Sequence, residues 1–152
     1  MTMVKTSGKY LRDGRAPIPE SAIVSKVMSS IGGKNTVPEL KMRKALNQAG
    51  LIGYRLHWKN APGRPDICYP GRKAAIFVHG CYWHRCPYCK PLLPKTHQDF
   101  WQAKFGRNVE RDARKLRELR KDGWKALVIW ECQIKKDLWF CVERVKRLIQ
   151  SE

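Results

Sequence analysis

A small group of cysteines constrains the fold of this chain more than any other feature. Cys81, Cys86 and Cys89 follow one another as Cys-x4-Cys-x2-Cys in a stretch rich in His, Trp and Pro, and Cys132 comes much later. Thiolates at such gaps can turn onto one tetrahedral Zn²⁺, with a distant fourth thiolate closing the loop. Four sulfurs leave no open coordination position, so such an ion would hold structure and would not activate water. Ordinary buried cysteines are the alternative; the short spacing and Pro87 in the knuckle favour zinc. Disulfides belong to oxidising compartments. Residues 1–17 are polar and basic and lack the apolar centre of a secretory signal, so the expectation is an intracellular, cytoplasmic and nucleoid-associated protein. Cys68 and Cys141 fall inside a strand pattern and a helix pattern and are expected in the core.

A chain of 152 residues has room for one compact domain and a tail. Residues 1–20 read as a flexible basic arm ended by Pro17 and Pro19, and residues 21–152 as the domain. Ser21 to Ile31 is a short helix candidate stopped by Gly32 and Gly33. Thr36-Val-Pro-Glu39 reads as a capping box, with the Thr36 hydroxyl accepting from a first-turn N–H and the Glu39 carboxylate reaching back to the Thr36 backbone. Pro38 suits the first turn, Gly50 the end, and Val37, Leu40, Ala45, Leu46 and Ala49 line one helical face. Strands are expected over Gly53 to Trp58, Arg64 to Tyr69, Lys73 to Val78 and Trp124 to Trp130, with a turn at Pro70-Gly71. A second capping box is expected at Thr96 to Asp99. A long helix should follow over Phe100 to Lys121, turning Val109, Ala113, Leu116 and Leu119 inward. An amphipathic helix closes the chain over Leu138 to Ile149. The order of elements predicts a single α/β or α+β domain around one sheet.

Charge names the class of partner. The 31 basic and 13 acidic residues leave a formal +18, which attracts a polyanion, and nucleic acid is the obvious one. The basic residues lie in the arm, around Lys41 to Lys44, and between Lys104 and Lys125. Within this setting Asp66 opens a strand behind Pro62-Gly63-Arg64-Pro65, His79 ends the next strand, and His84 comes five residues later. A carboxylate can hold Mg²⁺ against phosphate oxygens, and an imidazole can take a proton from an attacking water. A turn aspartate and a structural histidine are the bland readings of the same residues.

Several motifs in one order are more specific than any of these residues alone. PGRPD, FVHGCYWH, CPYC, KTHQDFW, RNVERD and GWKALVIWEC, spread over residues 25–132, resemble the very short patch repair (Vsr) DNA mismatch endonucleases. The resemblance implies a restriction-endonuclease-like α/β domain, with a central mixed sheet flanked by helices and a structural zinc site. It implies Mg²⁺-dependent nicking of double-stranded DNA, 5′ of the thymine in a T:G mismatch left by deamination of 5-methylcytosine. By the same resemblance Asp66 and the backbone carbonyl of Val78 would hold Mg²⁺, and His84 would be the general base. Asp112 would orient His84, His79 would support at the scissile phosphate, and Glu39 would act through metal-bound water. Val78 stands where the family often has Thr; it keeps the carbonyl and loses the hydroxyl. The cysteine set also departs from the best-known pattern, in which a His supplies one zinc ligand. With Cys86 two residues after His84, loss of zinc should displace the base.

The resemblance further implies that Tyr82, Trp83 and Trp101 wedge into the duplex beside the mismatch, with Met28 inserting from the other groove. Unstacking is cheapest where pairing is already poor, which gives selectivity through deformability. Core packing is the alternative, and it is strongest for Trp101, since Phe100 and Trp101 cannot both face inward. Trp124 and Trp130 read as core. The implied protein is a monomer acting on DNA, in contact with general mismatch-repair or short-patch resynthesis proteins. Two other readings stand beside it: a nicking or restriction-type endonuclease acting at unmismatched sites, and a non-catalytic zinc-stabilised DNA-binding module. A pure binder has no use for Asp66, His79, His84 and Asp112 together.

Overall fold

The computed structural model describes residues 34–151. The basic arm, the helix expected at Ser21 to Ile31 and Met28 lie outside them. The described residues form a small α/β domain: α1 (Val37–Gln48), β1 (Arg55–Leu56), β2 (Ile67–Tyr69), β3 (Ala74–His79), α2 (Cys81–His84), α3 (Gln98–Lys121), β4 (Lys125–Trp130), α4 (Glu131–Lys136) and α5 (Leu138–Gln150). The mixed sheet has the order β1-β2-β3-β4. The first three strands are antiparallel neighbours, and β3 and β4 run parallel from Ala74 opposite Lys125 to His79 opposite Trp130. No helix among the described residues is long and apolar enough to cross a membrane.

Strand alternation sorts the core into two layers. Ala74, Ile76 and Val78 of β3 face one way and join Met42 and Leu46 of α1, Ile134 of α4 and Val142 and Val145 of α5. Ala75 and Phe77 face the other way and join Leu119 of α3, Trp124, Ala61 and Cys68. Cys141 is buried in the first layer. Helices therefore cover both faces of β3, which explains its unbroken apolar run.

Several elements differ from their sequence pattern. Thr36 caps α1, its hydroxyl accepting from Glu39 N–H at 3.4 Å, but the Glu39 carboxylate accepts from Asn35 N–H at 3.0 Å, one residue before the cap. The inner face of α1 is Glu39, Met42, Ala45 and Leu46, while Val37 and Leu40 stand 64% and 48% exposed. The helix is thus rotated from its most apolar stripe, so that a carboxylate points inward. On α3 the inner line is Trp101, Phe105 and Leu119, with Val109 exposed. The cap expected at Thr96 is absent: His97 takes a left-handed backbone (φ 56°) ahead of Gln98, which leaves the Thr96 side chain outside the first turn. β1 is two exposed residues where six were expected. The helix α4, which carries Cys132, has no apolar period long enough to announce it.

Candidate active site

Two chain segments bring Asp66 to the sheet. The Pro62-Gly63-Arg64-Pro65 turn uses left-handed backbone at both Gly63 (φ 77°) and Arg64 (φ 48°). A Cβ on Gly63 would meet the Lys115 Cβ of α3 at 3.0 Å, so only glycine fits there without displacement. Beyond the turn, Asp66 lies beside the adjacent strand, and its Oδ2 accepts from Val78 N–H at 2.8 Å. Burial raises the Asp66 carboxyl to about 6 from the ordinary carboxylate range; the Val78 N–H opposes that rise and the nearby Glu39 carboxylate adds to it. A buried carboxylate in this state is a charge waiting for a cation, and its hard oxygen suits Mg²⁺.

His79 ends β3 on the side facing α3, and α2 turns His84 back over it. The two imidazoles stack with centroids 4.0 Å apart and planes 5° from parallel. His84 Nδ1 lies 2.6 Å from Asp112 Oδ2 on α3. Burial pushes the Asp112 carboxyl up, but the contact with His84 more than offsets it, leaving Asp112 below the usual carboxylate range. The ionised Asp112 fixes the proton on His84 Nδ1 and leaves Nε2 free to accept another. Burial, reinforced by His84, holds His79 near 3, so it is neutral at physiological pH. His79 Nδ1 is buried and has no hydrogen-bond partner among the described residues. Trp130 packs edge-on against the His79 ring at 5.1 Å.

On the other side of Asp66 stands a group that sequence reasoning only half found. Glu39 is 2% exposed. It pairs with Arg43 at 3.1 Å and lies 3.4 Å from His57, whose other ring nitrogen is 3.6 Å from Asp66. Capping and site contact coexist at Glu39, because one carboxylate reaches both Asn35 N–H and Arg43. Neither His57 nor Arg43 belongs to any motif; only their positions in space mark them.

The four thiols of Cys81, Cys86, Cys89 and Cys132 converge, with sulfurs within 4.8 Å of one another. Cys86 and Cys132 Sγ are 3.7 Å apart, close to the roughly 3.8 Å that tetrahedral geometry with bonds of about 2.3 Å requires. Backbone N–H groups of Tyr88 and Cys132 donate to the sulfurs of Cys86 and Cys81. Such bonds favour the thiolate form, so the donor set fits a structural metal.

Tyr82 and Trp83 lie on α2, between the thiol cluster and His84. Tyr82 is 36% exposed and Trp83 half-buried. Trp101 is 5% exposed and supports Trp83 from below, with its own ring stacked on Phe105. Asn108 of α3 donates to Trp83 C=O at 3.1 Å and ties this loop to the helix that carries Asp112.

The family model for the DNA mismatch endonuclease Vsr matches residues 18–90. A type II nicking enzyme of Xanthomonas oryzae pv. oryzae is 38% identical over 123 residues, covering 81% of this chain and 89% of that one. The chain belongs to the Vsr endonuclease family. The DNA mismatch endonuclease Vsr of Escherichia coli is 36% identical over 79% of this chain and 76% of its own. A type II nicking enzyme of Neisseria meningitidis serogroup A is 40% identical over 84% of this chain and 89% of its own. This member of the Vsr family is accordingly a DNA endonuclease, a hydrolase of the phosphodiester backbone.

The raised Asp66 carboxyl makes a prediction about stability. A folded-state value near 6 means that ionisation of Asp66 opposes folding as pH rises from about 4 to about 6, by at most about 3 kcal/mol. Without added divalent metal, Asp66→Asn should therefore melt above the wild-type protein at pH 7.5, and the gap should close by pH 4. Thermal unfolding of both proteins across that range checks it; equal melting temperatures at pH 7.5 would contradict it.

Proposed function

We propose that the protein nicks one strand of a T:G-mismatched DNA duplex, 5′ of the thymine, in a Mg²⁺-dependent hydrolysis. The observation that carries this reading is a buried, high-pKa carboxylate at Asp66 within electrostatic reach of His84, itself stacked on His79 and bonded to Asp112, in a Vsr-family chain. Asp66 and the Val78 carbonyl would hold Mg²⁺. When bound, the cation neutralises charge on the phosphate oxygens and lowers the proton affinity of water. His84 Nε2 takes the proton from the attacking water, and Asp112 stabilises the imidazolium that forms. His79 stays neutral, so the stacked pair never carries two positive charges. Glu39, ion-paired with Arg43, would act on the cation through an intervening water.

Zinc on Cys81, Cys86, Cys89 and Cys132 would pin α2 to α4 and so hold His84 over His79. The parent architecture on this reading is restriction-endonuclease-like, acting as a monomer on double-stranded DNA. Tyr82 and Trp83 form the wedge, Trp101 supports them, and Met28 would approach from the opposite groove. A place beside general mismatch-repair or resynthesis proteins in the cytoplasm follows from the same role. A second reading is a nicking or restriction-type endonuclease that acts at unmismatched sites; the relatives named type II nicking enzymes carry nicking in their names and no mismatch.

The deciding experiment incubates the purified protein and Mg²⁺ with matched and mismatched duplexes, each strand labelled separately. The proposal expects a single cut in the thymine strand of the T:G duplex. It also expects loss of cutting, with binding retained, in Asp66→Ala and His84→Ala. Equal cutting of matched and mismatched duplexes would favour the second reading, and wild-type turnover in either variant would move the site elsewhere. For the structural metal, protein purified under reducing conditions should contain one zinc per chain, and Cys86→Ser should lower both melting temperature and activity. For the wedge, Trp83→Ala should weaken binding to mismatched DNA more than to matched DNA. Parallel losses in a titration of both duplexes would assign Trp83 to packing, because phosphate contacts alone do not discriminate.

A further inference from the structure

His57 takes no part in the machinery above, yet its placement is tightly specified. It follows β1 directly and adopts a left-handed backbone (φ 48°), a region that non-glycine residues occupy at a cost. Its N–H donates to the Asp66 C=O at 3.2 Å, which extends the β1–β2 ladder by one rung. The side chain is 15% exposed, and both ring nitrogens face charged groups. Nδ1 lies 3.6 Å from Asp66 Oδ1, and Nε2 lies 3.3 Å from Arg43 Nη2 and 3.4 Å from Glu39 Oε2. Arg43 Nη2 also donates to Glu39 Oε2 at 3.1 Å.

The chemistry of these partners sets the tautomer. A guanidinium offers donors only, so Nε2 of His57 accepts from Arg43, and the ring proton of the neutral imidazole sits on Nδ1. That N–H faces Asp66 Oδ1. Glu39, His57 and Asp66 offer ligand atoms within 4.8 Å of one another. The Arg43 guanidinium, however, already lies against both Glu39 and His57 and supplies the positive charge that an ion between them would bring. The cluster is therefore an orienting network and not a second cation cage.

We infer that His57, locked by Arg43, which Glu39 holds in turn, is a positioning residue for Asp66. Its Nδ1–H, 3.6 Å from Oδ1, attracts that oxygen electrostatically, while Val78 N–H holds Oδ2 by a hydrogen bond of 2.8 Å. The carboxylate then presents its remaining lone pairs to the divalent cation in one orientation. This rests on Asp66 being a metal ligand, as proposed above. Groups that orient a metal-binding carboxylate typically contribute about 10–100-fold in metal affinity or activity.

The test compares His57→Ala, His57→Gln and Asp66→Ala with the wild-type protein on the duplex that the wild type nicks best. Three quantities are read: the Mg²⁺ concentration giving half-maximal single-turnover nicking, Mn²⁺ affinity of the protein–DNA complex by EPR, and melting temperature. His57→Ala should raise the Mg²⁺ requirement and weaken Mn²⁺ binding by about 10-fold or more, with duplex affinity unchanged. His57→Gln, whose amide can donate to Asp66, should recover most of both. Wild-type Mg²⁺ and Mn²⁺ behaviour in His57→Ala overturns the inference. So does a His57→Gln protein no better than His57→Ala, with both losing melting temperature and duplex affinity, since that pattern marks a purely structural residue. Asp66→Ala separates the two levels: persistent nicking there removes the metal assignment and the inference with it. Abolished nicking there, beside a normal His57→Ala, removes the inference alone.

Discussion

The parallel pairing of β3 with β4 is the constraint on which the site depends. Their six-rung register brings both strands to an end at the same level, with His79 beside Trp130. The residues that follow must then meet: Cys81 two positions after His79, and Cys132 two positions after Trp130. Cys132 N–H donates to the Cys81 sulfur, and Cys81 N–H to the Glu131 carboxylate. Parallel strands cannot be joined by a tight turn, so the chain must cross over, and here the crossover contains α3. That helix packs Leu119 against the sheet and brings Asp112 to His84. A slip of one residue in this register would turn His79 to the opposite face and separate the thiols.

Two charge networks act on Asp66, one through His84 and the other through Glu39. In the first, His79–His84–Asp112, one imidazole is anchored by a carboxylate and the other is kept neutral by burial. The second, Arg43–Glu39–His57, neutralises Glu39 internally and turns a ring nitrogen toward Asp66. Asp66 itself remains short of positive charge, so its burial opposes folding at neutral pH. Left-handed backbone at His57, Gly63 and Arg64 frames the same carboxylate on both flanks. Strain of this kind gathers at functional sites and persists only where the surrounding packing enforces it.

The aromatic loop joins the thiol cluster to the His79–His84–Asp112 group. Tyr82 and Trp83 occupy the single turn between Cys81 and His84 and rest on Trp101 and Phe105 of α3. The Arg85 guanidinium lies 4.3 Å from the Phe105 centroid and donates to Tyr82 C=O. Any displacement of the thiol cluster is therefore carried to these rings and to His84 together, since one short helix holds them all.

Local spacing determined much of this protein. It marked α1 with its Thr36 cap, the apolar run of β3, the long basic α3, the terminal helix α5 and the convergence expected of four cysteines. Asp66, His79 and His84 stood out only weakly by themselves, and Asp112 only through the ordered motifs that resemble the Vsr family. Other features were decided only by tertiary structure. The helix α1 rotates away from its apolar stripe because Glu39 is held inward by Arg43 and His57, an interaction that spans the loop before β1. Trp101, and not Val109, lies on the inner line of α3, because the aromatic loop covers that end of the helix. His57 reaches Asp66 through strand pairing and a left-handed turn, neither of which leaves a periodic trace in the chain. Periodicity and capping chemistry act over one or two turns of backbone, so a sequence records them. The environment of a buried charge depends on residues brought together from distant segments, and only the packed fold supplies it.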